Sequence, residues 1–307
     1  MARQAEEIFR GVFPAVTTQF DEQHNVDLTA TQQVIDGLVH DGVHGLVLMG
    51  TVGENNSLRT EEKISLLEAA KDVVAGRVPI LSGVSHFTTE EAQDYVRAAE
   101  RIGIDGLMVL PAMVYVPDQA ELEQHFRLVA SATGLPIMLY NNPASYRVSI
   151  SVETLERLAD VDNIVCIKES AEDTRRFTDL INACGERFIV FAGLDDMAFE
   201  GLVLGAKGWV SGLTNAFPRE SVALYELLQR GEIDKAQALY RWFMPLLHFD
   251  SKPKLVQYIK LVEQVMERGS ERVRLPRMIL SGAEREDLIS TVREAEATRP
   301  DLDSLLG

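Results

Sequence analysis

Cysteine is nearly missing from this chain: two occur in 307 residues, Cys166 and Cys184. Two thiols without paired spacing imply no disulfide framework and suit a reducing compartment, where such residues serve as small core hydrophobes. Histidine is sparse as well. His24, His40, His44, His86, His125 and His248 show no HExxH or paired-cysteine spacing, so a metal centre is not expected. No Walker A sequence occurs and no strand-like run leads into GxGxxG, which removes the usual carriers of phosphate-cradling and dinucleotide readings. Positive charge is in deficit. Against 47 Asp and Glu stand 30 Lys and Arg, a formal net charge of −17 that disfavours nucleic acid and anionic membranes as partners. No apolar run approaches the length that spans a bilayer. The start, MARQAEEIFRGVF, is charged and has no hydrophobic signal core, so the expected setting is the cytoplasm.

What is present is alternation. Short apolar runs read as strands at 12–16 (VFPAV), 44–50 (HGLVLMG), 78–85 (VPILSGVS), 105–111 (DGLMVLP), 135–142 (LPIMLYNN), 163–169 (NIVCIKE), 188–193 (FIVFAG) and 208–213 (GWVSGL). They are continuous rather than alternating, the pattern of parallel strands covered on both faces. Helical patterns lie between them. In TTEEAQDYVRAAERIG, Thr88 and Glu91 form an expected capping box, Ala92, Tyr95, Val96, Ala99 and Ile102 make an apolar stripe, and Gly103 supplies the stop. Ile64, Leu67, Ala70 and Val74 repeat the device, ending at Gly76. Eight such units before about residue 231 suit an α/β fold of the (β/α)8 TIM-barrel type. A doubly wound open sheet normally has fewer strands and a Gly-rich first turn. From Glu232 the pattern is helical only, and Pro245 is expected to kink or end the first of these helices. The expected division is a barrel at 1–231 and a C-terminal helical extension at 232–307, packed on the barrel or on a neighbouring subunit.

IVCIKES, residues 164–170, is an apolar run that delivers an ammonium group. The local reading is unremarkable: a strand-end lysine can lay its methylenes on apolar surface and keep its head in water. Barrel chemistry, however, sits at the C-terminal ends of the strands. Those ends carry GTVGE (50–54), SH (85–86), PAMVY (111–115), YNN (140–142), KES (168–170), GLDD (193–196) and SGLTN (211–215). Lys168, Tyr140 and the glycine-rich turn then converge on one mouth. A lysine crowded by Ile164, Cys166 and other lumen side chains loses hydration, and its amine lone pair becomes available to attack a ketone. The protonated imine withdraws electrons, so a C–C, C–O or C–N bond one position further can form or break. A tyrosine can move the protons, and a GTVG turn can hold a carboxylate on successive N–H groups. These parts describe a lysine-dependent lyase for 2-oxo acids that needs no cofactor.

GTVGE at 50–54, YNNP at 140–143, IKES at 167–170 and GLDD at 193–196, in that order, resemble the dihydrodipicolinate synthase / N-acetylneuraminate lyase family. The similarity runs from GVFPAVTTQF at 11–20 through the helical tail. The resemblance implies that Lys168 forms the Schiff base and that Tyr140 is the proton donor and acceptor above it. Thr51 would join a proton relay with that tyrosine, and Tyr115 resembles the tyrosine such enzymes lend across a dimer interface. Gly50, Thr51 and Val52 would hold the substrate carboxylate, while Gly193, Asp195 and the carbonyl of Val210 would face the bound keto acid. A homotetramer, a dimer of dimers, is the implied assembly.

Departures from the family pattern bear on substrate. The second hydroxyl residue between the glycines is replaced by Val52. Five residues after the motif tyrosine, where the true synthase carries an arginine, this chain has Ser145; Arg147 lies two residues further on. Without that guanidinium the second substrate's carboxylate loses its main anchor. GLDD matches the lyase and sugar-acid branch, with Asp195 favoured for substrate contact. Asp196 divides equally between substrate contact and capping of the following helix. His86 reads either as a substrate contact or as an interface or supporting histidine, and His248 as a helix-packing residue. The expectation is a Schiff-base lyase of the dehydratase, deaminase or aldolase branch, with 1-pyrroline-4-hydroxy-2-carboxylate deaminase as the named candidate. The alternatives are 4-hydroxy-tetrahydrodipicolinate synthase, which condenses pyruvate with aspartate semialdehyde, and a non-catalytic keto-acid-binding homologue.

Overall fold

Eight buried runs form the strands: β1 Gly11–Pro14, β2 Leu46–Leu48, β3 Ile80–Val84, β4 Gly106–Val109, β5 Ile137–Asn141, β6 Ile164–Glu169, β7 Ile189–Ala192 and β8 Gly208–Ser211. The structure, a computed structural model, describes residues 8–307; the first seven, part of the charged start, lie outside the described residues. Each strand is shorter than the apolar run that announces it, the run extending past the strand at one end or both. Every paired strand is parallel, in the order β1-β8-β7-β6-β5-β4-β3-β2. The ring closes between β1 and β2. There Ala15 bridges Val47, the His44 N–H donates to the Val12 carbonyl at 3.0 Å, and the Val16 N–H donates to the Val47 carbonyl at 2.9 Å. A parallel eight-stranded ring wrapped by helices is a TIM barrel.

The helices are α1 Leu28–His40, α2 Thr60–Val74, α3 Thr89–Ile102, α4 Gln119–Ser131, α5 Pro143–Tyr146, α6 Val152–Leu158, α7 Arg175–Cys184, α8 Ala198–Val203 and α9 Pro218–Gln229, followed by α10 Ile233–Leu247, α11 Leu255–Val265, α12 Gly282–Ala297 and α13 Leu302–Leu306. In α3 the stripe Ala92, Tyr95, Val96 and Ala99 is buried, and Gly103 ends the helix in the left-handed region (φ 82°). The expected capping box is only half made: Thr88 accepts from the Glu91 N–H at 3.2 Å, while no bond returns from the Glu91 side chain. A complete box forms instead at α4, between Asp118 and Glu121. Pro245 lies inside α10, which runs two residues beyond it before stopping. Its missing N–H leaves the Arg241 carbonyl without an intrahelical donor, and the helix ends within the next turn.

The C-terminal helices pack on α9 and over the barrel mouth. Buried Lys260 of α11 donates to the Thr18 carbonyl at 2.7 Å and pairs with Glu54 at 3.4 Å. Arg274 grips both oxygens of Glu62 at 2.7 and 2.9 Å. Among the described residues no helix is long and apolar enough to cross a membrane.

Candidate active site

Register sets the central pair. In the β5–β6 ladder Tyr140 stands opposite Lys168 and Asn141 opposite Glu169. Side chains alternate along a strand, so Tyr140 and Lys168 share one face, and Asn141 and Glu169 share the other. Glu169 is spent there: it accepts from Asn141 Nδ2 at 2.8 Å, from the Ala171 N–H at 2.7 Å and from Arg176 Nε at 2.9 Å. This anchors the end of β6 and fixes where Lys168 projects.

Lys168 is only 6% exposed, with Nζ 4.1 Å from the centre of the Tyr140 ring. Burial pushes its ammonium down to about 8, while Asp250 and Asp195 oppose that shift through their charge. Burial pushes the Tyr140 phenol up to about 12, and its oxygen accepts from Asn142 Nδ2 at 3.0 Å. Gly193 is obligatory beside them. A Cβ there would fall on Ser170 Oγ and come within 2.8 Å of Lys168 Cε. Ser170 Oγ is buried and has no partner among the described residues, a hydroxyl the sequence reading did not single out.

The glycine-rich turn lies across the mouth. Met49 (φ 55°) and Glu54 (φ 56°) both adopt left-handed backbone at its two ends, strain of the kind stored at functional sites. Asn55 holds it by donating from Nδ2 to the Met49 carbonyl at 2.6 Å, and accepts from Lys63 Nζ at 2.7 Å. Among the described residues no acceptor takes the N–H groups of Thr51 and Val52. With Gly50, these two residues line a cavity of about 700 Å³ that also reaches Tyr140, Lys168 and Gly193. An amine, a phenol and paired amide donors there can bind and activate a 2-oxo acid.

Other expected residues fall elsewhere. Thr51 does not bond Tyr140; its Oγ1 is 2.6 Å from the hydroxyl of Tyr146, a residue the sequence reading passed over. Tyr115 is 59% exposed and donates to Glu121 at 2.9 and 3.0 Å, outside the cavity of its own chain. Asp195 is fully buried below the cavity, its oxygens taken by Trp209 Nε1 at 2.9 Å and the Leu213 N–H at 2.8 Å. Asp196, rather than Asp195, lines the space. Val210 is buried in β8 opposite Phe13 and is not part of the lining. Ser145 lines the cavity, whereas Arg147 sits exposed in a left-handed turn (φ 59°) away from it. His86 lies behind the site against Tyr95, where burial pushes its imidazolium down to about 4.

His248 is not a helix-packing residue. It stands at the end of α10 and its Nδ1 is 2.9 Å from Asp196 Oδ2, which also accepts from Ser251 Oγ at 2.7 Å. These bonds draw the loop after α10 over the cavity, where Asp250, Ser251, Lys252 and Pro253 join the lining. Burial raises the Asp250 carboxyl to about 6, held back by the charge of Lys168.

A family model described as the dihydrodipicolinate synthetase family matches residues 8–295. The 4-hydroxy-tetrahydrodipicolinate synthase of Bacillus subtilis (strain 168) is 33% identical over 287 residues, covering 93% of this chain and 99% of that protein. The crystal structure of a putative dihydrodipicolinate synthetase from Pseudomonas aeruginosa superposes with a TM-score of 0.89 at 32% identity, covering 93% of this chain and 99% of that one. YagE, a prophage protein of the dihydrodipicolinic acid synthase family from E. coli K12 solved in complex with pyruvate, gives a TM-score of 0.89 at 28% identity, covering 94% and 99%.

Proposed function

The chain belongs to the dihydrodipicolinate synthetase family and is a class I lyase, and from that premise we propose that it acts on a small hydroxylated 2-oxo acid or a related cyclic imine. The reading is carried by one observation: the buried amine of Lys168 lies 4.1 Å from the Tyr140 ring centre, below the turn that bears the unpaired amides of Thr51 and Val52. The substrate carboxylate rests on those amides. Lys168 attacks the ketone, water leaves, and the iminium draws electrons from the neighbouring carbon while Tyr140 moves the proton. No further cofactor is required, since the imine itself is the electron sink.

The dehydratase, deaminase or aldolase branch, including 1-pyrroline-4-hydroxy-2-carboxylate deaminase, is preferred over condensation with aspartate semialdehyde. Ser145 stands at the mouth where an arginine would grip a second carboxylate, and Arg147 turns away. Asp196 and Asp250 instead offer acceptors to substrate hydroxyls or an ammonium. The second reading is 4-hydroxy-tetrahydrodipicolinate synthase, the name carried by the Bacillus subtilis relative. Lys252 on the rim is the one feature of the cavity that favours it, as a replacement cation.

Borohydride reduction with pyruvate and with hydroxylated 2-oxo acids, followed by peptide mass mapping, tests the imine. The expected adduct is on Lys168, and Lys168→Ala should abolish turnover. Consumption of aspartate semialdehyde with pyruvate would decide for the synthase. We also propose a homotetramer in the cytoplasm. In support, Phe87, Val114, Tyr115 and Val116 are exposed on two loops joined by a 2.9 Å bond from the Met113 N–H to the His86 carbonyl. Both cysteines are unbridged. Light scattering reports the assembly directly.

A further inference from the structure

Tyr146 is a half-buried phenol at the mouth to which the chemistry above gives no part. Its hydroxyl meets Thr51 Oγ1 at 2.6 Å, and its ring lies edge-on to Tyr140, with centroids 5.6 Å apart and planes at 79°. Burial pushes the phenol well above its ordinary range, so it stays protonated. The residue ends α5, a single turn with Pro143 at its start. Asn142 builds that turn and the site together. Its Oδ1 accepts from the Ser145 N–H at 2.9 Å while its Nδ2 donates to Tyr140 at 3.0 Å. The turn closes with the Arg147 N–H donating to the Pro143 carbonyl at 2.9 Å.

Resting on the lyase reading, we propose that Tyr146 is a positioning residue of the reaction, supplied by the same chain. Through its hydroxyl it fixes the side chain of Thr51, and with it the turn that presents the Thr51 and Val52 amides. Through its ring edge it holds Tyr140 over Lys168. The two phenols meet edge to face rather than hydroxyl to hydroxyl, so Tyr146 acts on Tyr140 by placing it. A Thr51 bound to Tyr146 and a Tyr115 bound to Glu121 mean that this bracing is completed within one subunit.

The test compares Tyr146→Phe with Thr51→Val, Thr51→Ser and the double variant Tyr146→Phe/Thr51→Val. Phenylalanine keeps the ring and removes only the bond to Thr51. Loss of placement at the reacting centre should lower kcat on the order of 10²-fold, since a displacement of about 1 Å costs that much. KM should change far less, and borohydride should still trap substrate on Lys168. Thr51→Ser, which keeps the hydroxyl, should retain most of the rate, and the double variant should be no worse than either single one, as expected for partners in one contact. Tyr146→Phe at full kcat with normal trapping would overturn the proposal while leaving the lyase reading intact; so would losses that multiply in the double variant. A Tyr115→Phe enzyme that lost turnover where Tyr146→Phe kept it would also overturn it. Failure of the unaltered enzyme to be trapped on Lys168 would instead sink the lyase reading.

Discussion

Removing the charge of Asp250 should speed attack by Lys168 at neutral pH, the opposite of what loss of a polar cavity residue usually does. Burial is the largest influence on Lys168 and brings its ammonium to about 8, with Asp250 and Asp195 both acting to keep the proton on. At a pKa of 8 about one amine in ten is neutral at pH 7, against roughly three in ten thousand at the ordinary lysine value. The rate of imine formation should therefore climb about tenfold from pH 7 to pH 9, with its midpoint near 8. The sign follows from the depressed pKa: the reactive neutral form is gained as pH rises through the folded-state value. Asp250→Asn deletes one of the two opposing carboxylates, so the midpoint moves to lower pH. A move of about half a unit would raise the neutral fraction at pH 7 roughly threefold. Because Asp250 itself takes up a proton near 6, the two proteins should converge below that pH. Borohydride trapping rates with pyruvate across the range measure this directly. A midpoint that stays put, or moves to higher pH in the Asn variant, would refute the electrostatic account of Lys168.

Gly193→Ala should cost on the order of 10²-fold in kcat/KM, because its methyl would displace Ser170 Oγ and Lys168 Cε; a circular-dichroism melt should show a folded protein destabilised by about 1–3 kcal/mol. Glu169→Gln breaks a fully buried carboxylate away from Arg176 and should cost about 3 kcal/mol in urea denaturation, with kcat falling as β6 loosens. Asp196→Asn weakens the tether to His248 and Ser251. It should raise KM by roughly tenfold, the worth of about 1.4 kcal/mol, with a smaller effect on kcat in steady-state assays.

Much of the barrel was legible because parallel strands covered on both faces must be apolar without interruption, and IVCIK or LPIMLY has few other ways to be satisfied. The Lys168–Tyr140 pair was legible for the same reason, as polar residues at the ends of such runs have a barrel mouth to enter. Tyr146 was not. It follows a proline in a one-turn helix, where neither the strand nor the helix period assigns a direction. In GLDD the order of the two acids carries no sign of which one turns inward; that is decided by the indole of Trp209 and the Leu213 amide, both contributed by β8 and the residues after it. His248 looked like packing because it follows an apolar helix, yet its partner lies far back along the chain.

The same blindness hid the role of the C-terminal helices. Read by periodicity they are an appendix, but their residues reach the site from two sides. Asp250 to Pro253 roof the cavity, tethered by Asp196. On the other side, Lys260 bonds the Thr18 carbonyl and pairs with Glu54, whose second oxygen accepts from the Arg274 N–H at 3.1 Å. Glu54 is the left-handed end of the turn that carries the Thr51 and Val52 amides. Strained backbone persists only when its surroundings over-determine it, and here those surroundings are supplied by α11 and the segment after it. On the proposed reading the barrel provides the amine, α11 and the segment after it brace the turn bearing the Thr51 and Val52 amides, and Asp250 opposes the burial that lowers the Lys168 ammonium.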